Sequence, residues 1–175
     1  MPSPQRAKGN SWEREIALML SETYGTNFMR SPGSGAYIGG TNSHRKQILS
    51  EGQVRSFKGD IIPGTGFERL NIECKSYRDF SFHQILSGTT NKQLDSWIEQ
   101  SMEVADPGDF TVLFMKFTRQ GTYIATRAQQ TLKLPPHGTH YKSQRHGTWF
   151  FSDLKTFMEL NQDVIRELSR PSPNN

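Results

Sequence analysis

The chain reads as a single α/β domain, on three observations. Trp12, Ile16, Met19 and Leu20 recur at the spacing that gathers apolar side chains on one helix face. Leu70-Asn71-Ile72-Glu73-Cys74-Lys75 alternates as a half-buried strand does. Further helical and strand patterns then follow in mixed order, and 175 residues suit one such domain with one substantial core.

Taken in order, residues 1–9 and 170–175 are rich in Pro and polar side chains and are expected to be disordered tails around a domain at 10–169. A first helix is expected from Asn10 to a stop at Gly25. Ser31-Pro32-Gly33-Ser34-Gly35 then opens a polar, glycine-rich stretch without periodicity, read as a basic loop over 35–58. Asp60-Ile61-Ile62 begins a short strand, Gly64-Thr65-Gly66 turns the chain, and the strand at Leu70 would complete a hairpin. A second helix is predicted from about Asn91 to Val104, with Leu94, Trp97, Ile98 and Met102 on one face and Pro107-Gly108 beyond its end. Thr111 to Phe117 and Thr122 to Thr126 read as a second hairpin, and Trp149 to Phe151 as a further strand. Ser152 or Asp153 could cap a last helix carrying Leu154, Phe157, Met158, Ile165 and Leu168.

Composition narrows the function. Only 33% of residues are hydrophobic and the longest apolar runs are too short to span a bilayer, so no membrane partner is expected. The N-terminus lacks an apolar secretory stretch and Cys74 is the lone cysteine, which points to a reducing cytoplasm, that of the host if the chain is viral. The net charge of +4 is modest, but its distribution is not. No acidic residue occurs between Thr23 and Ser50 or between Phe110 and Ser152, and both stretches carry Lys and Arg. Segments free of carboxylates can lie along phosphates and gain affinity by releasing counterions. Two of them in one small chain favour a polyanion over a merely solubilising face.

The chemistry centres on the strand at Leu70. Alternation turns Asn71, Glu73 and Lys75 to one face and Leu70, Ile72 and Cys74 to the other. Asp60, on the preceding strand, can bring a second carboxylate to Glu73, and two hard oxygen ligands suit Mg²⁺. Phosphodiester cleavage needs activated water and charge stabilisation, which a metal and the Lys75 ammonium can supply. Alone, Asp followed by Glu-x-Lys is a weak signal that also fits ordinary surface charges. Glu13 adds to it by falling on the apolar arc of the first helix, where a carboxylate needs a partner or a metal. An Asn10 to Glu13 capping box is the compatible structural alternative. His137, His140 and His146 lack a cysteine pair and do not read as a zinc site. Cys74, turned away from Glu73 and Lys75, reads as packing.

Four segments, Lys8 to Glu15, Met29 to Ser34, Gly59 to Ile62 and Ile72 to Lys75, together resemble the archaeal-type Holliday junction resolvases of the PD-(D/E)XK nuclease superfamily. The resemblance covers the first half of the chain, in order. It implies a restriction-endonuclease-like core with a central mixed sheet of four or five strands flanked by helices. It also implies a metal-dependent site of Glu13, Asp60, Glu73 and Lys75, with Glu13, Asp60 and Glu73 as metal ligands and Mg²⁺, or Mn²⁺ in its stead, as the cofactor. An assisting basic residue and serine map to Arg30 and to Ser34 or Ser31. Gln93 and Trp97 are similar to a Gln-x-x-x-aromatic element of some relatives, which places Gln93 with Arg30, Arg45, Lys46, Arg55 and Lys58 among candidate DNA contacts. The implied partners are branched DNA and a second copy of the chain, with no small-molecule cofactor. Departures lie in the long 35–58 stretch and in the continuation past the usual end of those proteins. A compact nuclease of this kind would suit a bacteriophage or mobile element. Rival readings are a nuclease of the same fold acting on duplex ends, flaps or specific sites, and a DNA-binding protein that does not cut.

Overall fold

The computed structural model describes residues 4–32 and 58–171. Helix α1 (Pro4–Tyr24) is followed by β1 (Met29–Arg30), β2 (Ile61–Ile62) and β3 (Leu70–Tyr77). Helices α2 (Phe82–Leu86) and α3 (Lys92–Val104) lead to β4 (Phe110–Phe117), β5 (Gly121–Arg127), β6 (Thr139–Ser143), β7 (Gly147–Asp153) and α4 (Leu154–Leu168). The main sheet has five strands in the order β3-β4-β5-β7-β6. β3 and β4 run parallel and the remaining pairs antiparallel, so the sheet is mixed, as expected. The parallel pair requires a crossover, which α2 and α3 supply.

Helices cover both faces. On one side α1 and α4 pack Trp12, Ile16, Leu20, Phe157 and Ile165 against Ile72, Val112 and Phe114. On the other, α3 packs Leu94, Trp97 and Ile98 against Leu113, Met115 and Trp149. Each such side chain, fully buried, contributes roughly 1.5–3 kcal/mol by leaving water. The Trp12 indole N–H donates to the Phe114 carbonyl at 3.0 Å, which pins α1 to the sheet centre. Both later helices begin as the sequence predicts: Asn91 caps α3 by accepting from Leu94 N–H, and Asp153 caps α4 by accepting from Thr156 N–H. No helix among the described residues is long and apolar enough to cross a membrane.

Two expectations change, and two elements were not foreseen. The segment expected to be an N-terminal tail is helical from Pro4, because a proline at the first helical position gives up an N–H that has no helical partner there anyway. Asn10 is therefore inside α1, and the capping box with Glu13 is ruled out. The expected hairpin between the Asp60 strand and β3 is also absent: β2 pairs with β1, through Met29 with Ile62 and Arg30 with Ile61. Finally, β6 and α2 occupy stretches that carry no clear sequence period. The expected basic loop over 35–58 lies outside the described residues apart from Lys58, and with it Ser34, Arg45, Lys46 and Arg55.

Candidate active site

β3 presents its two faces as its alternation requires. Leu70, Ile72 and Cys74 join the α1 side of the core. On the α3 side, Asn71 donates to the Ser101 carbonyl at 2.8 Å. Lys75 donates at 2.7 Å to both Glu73 Oε1 and Gln100 Oε1. One side chain thus bridges β3 and helix α3.

Asp60 reaches the same place by another route. Gly59 adopts φ +71°, and a Cβ on it would collide with the Ile72 carbonyl, so only glycine lets the chain pass this close to β3. Asp60 N–H then donates to the Ile72 carbonyl at 2.9 Å, and Ser31 N–H donates to the Asp60 carbonyl at 2.8 Å. The Asp60 carboxylate is thereby aimed at β3, where Oδ2 accepts the Cys74 N–H at 2.8 Å. A single residue takes two places on the strand edge, and its carboxylate comes beside that of Glu73.

Arg30, beside Asp60 through the β1 and β2 pair, holds Glu13 of α1 with its Nε and donates from Nη2 to Asn10 Oδ1 at 2.7 Å. Glu13, Arg30, Asp60, Glu73 and Lys75 line one open cleft of about 560 Å³, with Lys8, Gly9, Asn10, Pro32 and Gln100. Segments that are far apart in sequence thus share one wall.

The electrostatics record the crowding. Asp60 and Glu73 are 6% and 2% exposed. Burial, and then the charge of Asp60, push the Glu73 carboxyl up to about 7, against the pull of Lys75. Burial likewise raises Asp60, opposed chiefly by the Cys74 N–H. Glu13 is raised by burial and by Asp60, with Arg30 opposing. Burial raises the Cys74 thiol well above its ordinary range, so this cysteine is inert packing, as its strand position suggests. Among the described residues, no three His, Cys, Asp or Glu side chains form a cluster that could hold a metal ion. Asp60 and Glu73 adjoin, while Glu13 is engaged by Arg30.

The other expected residues fare unequally. Lys58 does not line the cleft; it is ion-paired with Asp106 and Asp109 and so has its charge already satisfied. Ser31 is fully buried and contributes its main chain. Gln93 does not line the cleft, whereas Gln100 does. The two amides lie about two helical turns apart on one stripe of α3. The sequence signal of an amide facing the strand was therefore present, but one repeat further along. His146 is 2.9 Å from Glu99, and His140 meets Phe150 edge to face, so these histidines serve surface and packing contacts.

No curated protein and no solved structure matches the chain. One family model does, over residues 4–167, a span that runs from the start of α1 almost to the end of α4 and includes every residue of the cleft. Its description is "Phage putative PDDEXK endonuclease", and with the mixed sheet, the buried Asp60 and Glu73 and the neighbouring Lys75 in place, the chain belongs to this family of phage nucleases.

Proposed function

We propose that this nuclease hydrolyses phosphodiester bonds in branched DNA, four-way Holliday junctions above all, with Mg²⁺ as cofactor and Mn²⁺ as its substitute, and that it acts as a homodimer. The observation that carries the reading is the pair of adjoining, buried carboxylates, Asp60 and Glu73, beside the Lys75 ammonium in an open cleft. Such a pair is destabilising unless a cation or protons relieve it. Two hard oxygen donors suit Mg²⁺, which is often held by one or two carboxylates with water and substrate phosphate in its other positions. Asp60 and Glu73 would hold the ion, and Glu13 could join them on release from Arg30. When bound, the metal lowers the pKa of water and stabilises charge developing on the phosphate oxygens.

The chain's own residues prepare that chemistry. The Cys74 N–H orients Asp60. Glu73 and Gln100 hold Lys75 from two sides, so its ammonium is aimed before substrate arrives and needs little reorganisation as phosphate charge grows. Arg30 holds Glu13, opposing the upward push of burial and Asp60 on its carboxyl, and offers a guanidinium to a backbone phosphate. Preference for branched DNA is supported by the resemblance of the segments at Lys8, Met29, Gly59 and Ile72 to junction resolvases, since those segments meet in this cleft. Resolving a four-way junction needs two symmetric nicks, for which a two-fold dimer is the simplest agent.

The test is cleavage of labelled four-way junction, flap and linear duplex by the full chain, with and without Mg²⁺. Paired, symmetric, Mg²⁺-dependent nicks in the junction are expected, lost in Lys75→Ala and Glu73→Gln while binding persists. Preferential cutting of flaps or duplex ends would favour the rival nuclease reading. Binding without cleavage of any DNA would make the chain a non-catalytic DNA-binding protein.

A further inference from the structure

Beyond Lys75 the cleft continues along Tyr77, Arg78 and Thr118, which the hydrolysis just described does not use. Strand alternation carries Tyr77 onto the same face as Glu73 and Lys75. Its ring packs on Trp97 with centroids 4.9 Å apart and planes tilted by 38°. Trp97 is buried and itself stacks on Phe80 and Phe117, at 5.8 and 6.2 Å. A rigid aromatic foundation therefore backs a tyrosine that is still 46% exposed. Beside it, the Arg78 side chain is 89% exposed, and its contact with the equally outlying Asp79 is a loose 3.8 Å. Such an exposed pair contributes little and can yield to a phosphate.

The geometry points to a nucleobase-stacking subsite: Tyr77, braced by Trp97, takes the face of an unpaired base near the scissile phosphate, and Arg78 takes a phosphate of the same strand. Two residues of strand separate Tyr77 from Lys75, about 7 Å. That is about two base rises of 3.4 Å, so the stacked base lies within one or two nucleotides of the reacting phosphate. Aromatic stacking accepts any base, because every base has a π-face, but a base inside a continuous duplex has neither face free. The subsite would thus select for unstacked bases such as those at a branch point, and would do so without reading sequence. This inference rests on the branched-DNA reading and supplies a physical source for its preference.

The probe is 2-aminopurine, whose fluorescence is quenched by stacking, walked one nucleotide at a time through the branch point of a four-way junction and bound by the full chain without divalent metal. Quenching is expected at one or two adjacent positions, retained in Tyr77→Phe and lost in Tyr77→Leu. Tyr77→Leu should also weaken junction binding about tenfold, within the 5- to 150-fold range that a stacked base is worth. Its affinity for linear duplex should be unchanged, which a merely loosened fold would not spare. No quenching at any position, or quenching that survives in Tyr77→Leu, would overturn the subsite. Cleavage by wild type without quenching would leave the nuclease reading standing and remove this one. Tyrosine-dependent quenching without cleavage of any DNA would do the reverse.

Discussion

Metal-free protein should lose stability as pH rises toward neutrality, and Glu73→Gln should abolish much of that loss. The Glu73 carboxyl titrates at about 7 in the folded chain against an ordinary value of 4.5. Below the lower value the carboxyl is protonated folded and unfolded, and stability is complete. Between the two values the unfolded chain has released a proton that the folded chain retains, so stability falls. Above about 7 both are ionised and the loss levels off. At 1.36 kcal/mol per unit, the span from 4.5 to about 7 amounts to about 3 kcal/mol. Asp60 is raised in the same direction and deepens the decline. For a domain of this size, 1 kcal/mol is roughly 2–4 °C of melting temperature, so Glu73 alone accounts for a fall of roughly 6–12 °C. Circular-dichroism melting in EDTA from about pH 4.5 to 8.5 measures it for wild type and Glu73→Gln. The variant's profile should be flatter by that amount, and Mg²⁺ at about pH 8 should raise the wild-type melting temperature more than the variant's. Parallel profiles would refute the argument, because they would mean that Glu73 is not held protonated by its surroundings.

Gln100→Ala removes a 2.7 Å hydrogen bond to Lys75 from an exposed position, so the turnover number should fall about tenfold while the melting temperature moves little; Gln100→Glu, which keeps an acceptor, should recover most of the rate. Gly59→Ala forces a side chain into the left-handed region, at about 1–2 kcal/mol, and into the Ile72 carbonyl, so it should lower both melting temperature and cleavage. Asp153→Ala provides the matched control: loss of the α4 cap costs about 1 kcal/mol and lowers the melting temperature, but DNA cleavage at a temperature where the variant is folded should equal wild type.

Much of the site was legible because it depends on local periods. The alternation around Ile72 and Cys74 set Glu73 and Lys75 on one face, and the apolar arc of the first helix singled out Glu13. What the sequence did not convey is pairing between distant segments. Nothing local indicates that β3 pairs in parallel with β4, or that the Ile61 strand joins Met29 rather than Leu70. Lys58 read as a DNA contact because basic neighbours precede it, yet the carboxylates that claim it, Asp106 and Asp109, arrive from beyond α3. β6 was missed because it is an outer strand: Tyr141 is buried among exposed His140 and Lys142, and such polar edges carry little hydrophobic signal. The N-terminal segment misled for the opposite reason, since its prolines mark a helix start as readily as a tail.

The position of β3 at the border of the main sheet has one more consequence. A border strand exposes main-chain donors and acceptors that invite another polypeptide to align and extend the sheet. Here Asp60 occupies two of them, giving its N–H to Ile72 and its carboxylate to Cys74. The aspartate that would grip the metal is also a stopper against uncontrolled strand addition. Alanine in its place keeps the main-chain bond to Ile72 but frees the Cys74 N–H, so Asp60→Ala should show a raised tendency to self-associate besides any loss of cleavage. A knockout at Lys75 leaves that seal intact and is the sounder reagent for trapping DNA on the protein or for separating loss of cutting from loss of protein.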